Sequence, residues 1–308
     1  MSLPRLALAL MALLAAGLAR AAAPEPAVVM RTDDVERFYR LYDAAHGHPT
    51  AEQLQSQYLA PGSEALHQFV ALRIGDAAQL ATAIEKRPAD FAQARGCLAA
   101  LAKTRAQLPA VYARYAQLYP ATTFPPVTFV IGRDSTGGTT SREGILMGLE
   151  TMCHLDLLGA DPGDRFTHMI AHELAHVQQP AAQKDAPPGT PLLPQALLEG
   201  GAELLAELTS GRVSYGHMAA WTKGKECAIE QAFAKDALGS DTSHWLYTGF
   251  GTPDQPGDLG YWVGYRITKA YYEHAGDKRQ AVADVLNISF DNAAAFLARS
   301  GWKPQTGC

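Results

Sequence analysis

The stretch His172-Glu173-Leu174-Ala175-His176 decides the reading of this chain. It spells H-E-x-x-H. Phe166, Ile170, Leu174 and Val177 recur around it at helical spacing, which predicts a helix with one buried face. Two His four residues apart share a helix face, about 6 Å apart along the axis. From there both imidazoles reach one zinc ion at roughly 2.0–2.1 Å. Glu173 directly follows the first His. It is placed to act as general base toward a water whose pKa the metal lowers to about 7. Chance would place two His and one Glu at these fixed positions in about one per cent of chains of this length. The pattern is therefore read as a metal site.

His168 complicates the ligand choice, because His168, His172 and His176 form a ladder on successive turns. The outer two lie about 12 Å apart along the axis, too far to share an ion. Pairing His168 with His172 would put Met169 where the base belongs. His172 with His176 is the chemically complete pair, and His168 is read as a helix-start residue or a support for the ligands. Asp161-Pro162-Gly163-Asp164 supplies capping chemistry just before this helix.

Catalytic zinc takes three protein ligands and a water, so a third ligand is needed. A Pro/Gly-rich segment follows Gln179 and cannot continue the helix. The next helix is expected over about Gln195 to Leu208, stopping near Gly211, and carries Glu199, Glu203 and Glu207 at successive turns. Such spacing also suits a solvated face. Gly200-Gly201 inside a helix costs stability, however. With Ala202 these glycines would let this helix approach the H-E-x-x-H helix closely.

Here the chain resembles the gluzincin metallopeptidases. His172 to His176 is followed by Leu197-Leu198-Glu199-Gly200-Gly201-Ala202-Glu203, and later by Gly260-Tyr261-Trp262-Val263-Gly264-Tyr265-Arg266-Ile267. The E-G-x-A-E pattern with this aromatic stretch is similar to a family of bacterial zinc-dependent proteases that includes relatives of a gliding-motility lipoprotein. The resemblance spans roughly residues 125–290. It implies one zinc held by His172, His176 and Glu199, with Glu203 orienting a His ligand through its free ring nitrogen. In this chain x is Gly, so a locally irregular helix is expected. Hydrolysis also needs an oxyanion donor besides the metal. Tyr261, Tyr265, His244 and His217 are candidates. Tyr261 is preferred because it follows Gly260 near an expected helix start, although the aromatic stretch also fits a plain core stripe.

The rest of the chain bounds this reading. Arg5, an uncharged run from Leu6 to Ala19, and Ala19-Arg20-Ala21 form a secretory signal over residues 1–21, cleaved after Ala21. The run is short for a membrane span, and no later segment is apolar enough to make one. Twenty-six basic and 31 acidic residues give a net charge of -5, which gives no sign of nucleic acid or an anionic membrane surface as a partner. Cys97, Cys153, Cys227 and Cys308 are even in number in an oxidising compartment, so two disulfides are expected, with three connectivities open.

Residues 22–120 read as an N-terminal helical layer broken at Pro49, Pro61, Pro88 and Pro109, without a catalytic constellation. Residues 121–308 read as the catalytic region. Val127–Ile131 and Gly144–Glu150 are expected strands, joined by a polar turn from Asp134 to Thr140. An edge strand there could pair with a peptide or serve only for packing. The fold class is α/β, mostly α: a zincin-like core with a small sheet, the H-E-x-x-H helix and a Glu-bearing helix. The expected function is a secreted or periplasmic zinc peptidase acting on a peptide or protein substrate. The alternative is a non-catalytic envelope assembly or binding protein on the same scaffold, which would not need Glu173.

Overall fold

The computed structural model describes residues 27–155, 159–180, 186–213, 216–249, 251–252 and 254–308. The expected signal segment lies outside them, as does part of the Pro-rich connection after Gln179.

The protein is mostly helical, with one small mixed sheet. The sheet order is β1-β2-β4-β3, formed by Met30–Arg31, Val127–Val130, Gly144–Gly148 and Gly138–Ser141 respectively. β1 runs parallel to β2, and β2 runs parallel to β4 with Val127 opposite Ile145. β3 closes the other edge antiparallel to β4, with Gly138 opposite Met147. Every residue of β2 and β4 is buried, as their unbroken apolar runs require of inner strands.

β3 corrects the expectation of a plain turn between two strands. Gly137 and Gly138 hid it, because glycine weakens a strand signal. Both are needed for close approach. A Cβ on Gly137 would meet Met152 Sδ at 2.6 Å, and one on Gly138 would meet Glu173 Oε1 at 2.8 Å. β1 was also missed, since two residues carry no readable alternation.

Fourteen α-helices are named here in chain order, among the described residues. The N-terminal part holds α1 (Asp33–Ala44), α2 (Ala51–Leu54), α3 (Glu64–Phe69), α4 (Ala77–Lys86), α5 (Pro88–Ala94) and α6 (Leu101–Leu118). Pro109 does not break α6. The carbonyl it frees belongs to exposed Arg105, so the missing hydrogen bond falls on the wet side. This part is built into the same core as the sheet. Tyr58 Oη donates to the Ile131 carbonyl at 2.7 Å, and the Tyr115 hydroxyl donates to the Ala171 carbonyl.

After β4 come α7 (Leu149–His154), α8 (Pro162–Gln178), α9 (Leu192–Ser210), α10 (Gly216–Thr222), α11 (Glu226–Asp236), α12 (Leu259–His274), α13 (Lys278–Leu286) and α14 (Ala293–Arg299). α8 starts as expected: the Asp161 carboxylate accepts from Asp164 N at 3.1 Å, and Pro162 is its first residue. It is enclosed on all sides rather than on one face, with Gly163 to His176 buried throughout. It packs against α6, α9, β3 and β4. Phe166 meets Phe129 of β2 edge to face at 5.6 Å.

α9 is continuous through Gly200-Gly201 and ends at Gly211 in the left-handed conformation. The glycines serve a different neighbour from the one expected. A Cβ on Gly200 would lie 2.0 Å from the Gly264 carbonyl carbon on α12, and one on Gly264 would lie 1.8 Å from the Ala196 carbonyl oxygen. The two backbones therefore touch there. Two disulfides fix the periphery. Cys97–Cys153 ties the 3₁₀ turn Arg95–Ala100 to α7, and Cys227–Cys308 anchors the C-terminal tail on α11.

Candidate metal centre

The site forms where α8 and α9 face each other beneath β3. His172 and His176 project from α8 and Glu199 from α9. Their donor atoms converge: His172 Nε2 to His176 Nε2 is 3.1 Å, His176 Nε2 to Glu199 Oε2 is 3.1 Å, and His172 Nε2 to Glu199 Oε2 is 3.4 Å. All three residues are buried or nearly so.

The hydrogen bonds behind these atoms fix their chemistry. His172 Nδ1 lies 2.8 Å from Glu203 Oε1, and His176 Nδ1 lies 2.7 Å from Gln179 Oε1. Both partners are acceptors, so each Nδ1 carries the hydrogen. Gln179 Nε2 donates to the Leu198 carbonyl at 3.1 Å, which sets the orientation of its amide. Neutral rings in this tautomer turn both Nε2 lone pairs toward each other and toward a carboxylate oxygen. Two ring nitrogens and a carboxylate oxygen brought this close need a positive charge between them, a proton or a metal cation, and the donor types are those of a metal site. A tetrahedral zinc with bonds of 2.0–2.1 Å has ligand–ligand edges of about 3.3–3.4 Å. The observed triangle fits it.

Glu203 is 1 % exposed and holds two imidazoles, since His168 Nε2 lies 3.4 Å from its Oε2. His168 Nδ1 in turn meets Ser210 Oγ at 3.2 Å. His168 thus sits behind the site rather than in it. Burial alone would raise the Glu199 pKa, but the His176 and His172 charges and hydrogen bonds hold it at about 2. Burial opposes protonation of both rings, yet Glu199 and Glu203 pull His172, and Glu199 pulls His176, toward the charged form. The donor set is therefore primed for positive charge.

Glu173 lies against Gly138 of β3, lines the same cavity as the three donors, and is 5 % exposed. Desolvation raises its pKa, with His176 and His172 opposing. A carboxylate raised in this way is suited to accept a proton.

These groups open into a cavity of about 350 Å³. β3 and the turn before it, Ser135 to Thr140, form one wall. Tyr247, Asp258 and Tyr261 form another. Tyr261 lies in the first turn of α12. The other oxyanion candidates do not line the cavity: Tyr265 donates to Glu207 Oε2 at 2.8 Å, and His217 and His244 lie outside the lining.

Sequence reasoning missed five residues here. Gln179 had a signal, as it follows His176 by three at a helix end. Tyr247 pairs edge to face with Tyr261, ring centroids 6.3 Å apart, and has φ +60. Its signal was the glycine-rich run that begins there. Asp258 clasps this run, accepting from Thr248 N at 2.8 Å while Thr248 Oγ1 accepts from Asp258 N at 2.7 Å. Arg73 and Leu72 also line the cavity, so the N-terminal part contributes to it after all. Nothing in the sequence marks Arg73.

With this geometry in view, residues 133–292 match the model of a family described as a predicted Zn-dependent protease (DUF2268). No curated protein and no solved structure matches the chain.

Proposed function

The chain belongs to this family of predicted Zn-dependent proteases, and from that premise we propose that it is a zinc peptidase exported to the periplasm or beyond the cell. The observation that carries the reading is the triangle of converging donor atoms from His172, His176 and Glu199. Two His and a downstream Glu form the ligand set of gluzincins, and we assign the core to the zincin-like class on that basis. The two disulfides suit an oxidising compartment. No helix among the described residues is long and apolar enough to cross a membrane.

A zinc ion held there supplies Lewis acidity, acidifying a water and polarising the scissile carbonyl. The chain's own residues do the rest. Glu173 takes the proton of the attacking water and returns it to the departing amine. Glu203 and Gln179 hold the two imidazoles in register through their Nδ1–H groups. The Tyr261 hydroxyl, braced by the Tyr247 ring, donates to the developing oxyanion. β3 is an edge strand beside Glu173. An extended peptide would pair with its outer backbone edge and so lie across the site.

Glu173→Gln tests this. The variant keeps the volume of the side chain and removes the base. Zinc content should persist while peptide hydrolysis falls by about 10²–10⁴-fold. Equal activity of the variant and the wild type on the same peptides would reject the mechanism.

A further inference from the structure

Among the described residues, one permanent cation faces this cavity. Of the residues that line it, only Arg73 is a Lys or Arg, whereas Glu173, Glu199, Glu203 and Asp258 are all acidic. Arg73 belongs to a π-helical turn, Val70–Ile74, that follows α3 and ends at Gly75 with φ +84. Its backbone is pinned: the Arg73 carbonyl accepts from Arg133 Nε at 2.9 Å and from Ser135 Oγ at 2.9 Å. Its side chain is pinned too, because Nη2 donates to Thr139 Oγ1 at 2.9 Å on β3. That bond holds one nitrogen of the guanidinium against the edge strand, while the residue as a whole stays exposed to solvent at the cavity rim.

Among the described residues no carboxylate forms an ion pair with Arg73. Arg73 shares the cavity lining with Glu173 and Tyr247. An arginine fixed by one nitrogen retains donors for a planar two-oxygen anion. The acidic groups elsewhere in the wall would repel such an anion, so this is the place in the wall that accepts one.

We propose that Arg73 is a carboxylate subsite of the peptide substrate, and hence a specificity-determining residue; this rests on the peptidase reading above. The cavity is at the small end of ligand pockets. The recognised carboxylate must then lie within a residue or two of the scissile bond. An acidic side chain and a free C-terminus offer the same chemistry. The first would make the enzyme selective for Asp or Glu near the cleavage point, and the second would make it trim chain ends.

The test uses zinc-loaded mature protein and two peptide pairs on one scaffold. One pair exchanges Asp or Glu beside the cleaved bond for Asn or Gln. The other exchanges a free C-terminus for its amide. In one of the pairs, wild type should favour the carboxylate in kcat/KM by at least about tenfold, mostly through KM, as a charge-assisted hydrogen bond supplies. Arg73→Gln should bring that ratio to about one, and Arg73→Lys should keep part of it. The pair that responds identifies the source of the carboxylate. Fluorescence anisotropy of the same peptides on zinc-loaded Glu173→Gln protein, with and without Arg73→Gln, reads the preference without turnover. Arg73-dependent binding without any cleavage by wild type would sustain the subsite and sink the peptidase reading. Cleavage with ratios near one in both pairs would sink the subsite and leave the peptidase reading intact. An Arg73→Gln variant that loses acid and amide substrates equally would show a brace for β3, and would also overturn the proposal. Neither cleavage nor preferential binding would overturn both.

Discussion

Replacing Gly200 by Ala isolates the contact on which the placement of α9 depends. A Cβ there would lie 2.0 Å from Gly264 C, 2.1 Å from Tyr265 N and 2.6 Å from Gly264 Cα. Ordinary contact begins near 3.4 Å, so α12 would have to retreat by roughly 1.4 Å, in an interior packed as densely as a crystal. The opposing atoms are backbone, and no rotamer change can relieve them. Overpacking typically costs about 1–3 kcal/mol or more, and the helix propensity of Ala returns about 1 kcal/mol. Taking the upper end, the net loss is about 2 kcal/mol or more, or roughly 4–8 °C in Tm. Gly201 is the internal control. Its Cβ would meet only Val285 Cγ1, at 2.8 Å. That side chain can turn away, so Gly201→Ala should stay within about 1 kcal/mol of wild type. Urea unfolding of all three proteins, followed by circular dichroism, measures both differences. The Gly200 variant should also bind zinc more weakly, because Glu199 adjoins the displaced position. A Gly200→Ala protein as stable as wild type, or a Gly201→Ala protein that is the worse of the two, would refute the packing argument.

Two further outcomes follow from the site and its surroundings. Glu199→Ala should weaken zinc binding more than Glu203→Ala, for which about 10–100-fold is expected from losing the bond to His172 Nδ1; competition against a chromophoric chelator ranks the two, and the reverse order would contradict the ligand assignment. Burial raises the Glu150 carboxyl from 4.5 to about 7, with the Gly132 amide opposing. The native state then holds a proton that the unfolded chain releases, so this contribution is fully present below about pH 4.5 and is lost as the pH rises through 7, by up to about 3 kcal/mol. Wild-type stability relative to Glu150→Gln should decline across that range in urea titrations, and a flat difference would argue against it.

Some of this was readable in the residues and some was not, for physical reasons. The H-E-x-x-H helix and its Asp161 cap follow from local rules, since periodicity and capping act within a turn or two. The inner strands β2 and β4 were legible as apolar runs. β3 was not, because its function demands the glycines that erase its signal. Gly200 was recognised as a close-packing residue, but its partner, Gly264, lies 64 positions away in sequence, and packing partners are a property of the tertiary fold. Pro109 was misread because helix rules price the lost bond without knowing which side is wet. At the site, the donors came from a motif. Gln179, Tyr247 and Arg73 came from loops and a turn, whose placement only the assembled core decides.

The most direct test of the central claim is the zinc content per chain of purified mature protein, wild type beside His172→Ala, His176→Ala, Glu199→Ala and His168→Ala. The convergent donor triangle predicts about one zinc in wild type and in His168→Ala, and little or none in the other three. Equal retention in all five, or equal loss from all three His variants, would contradict it.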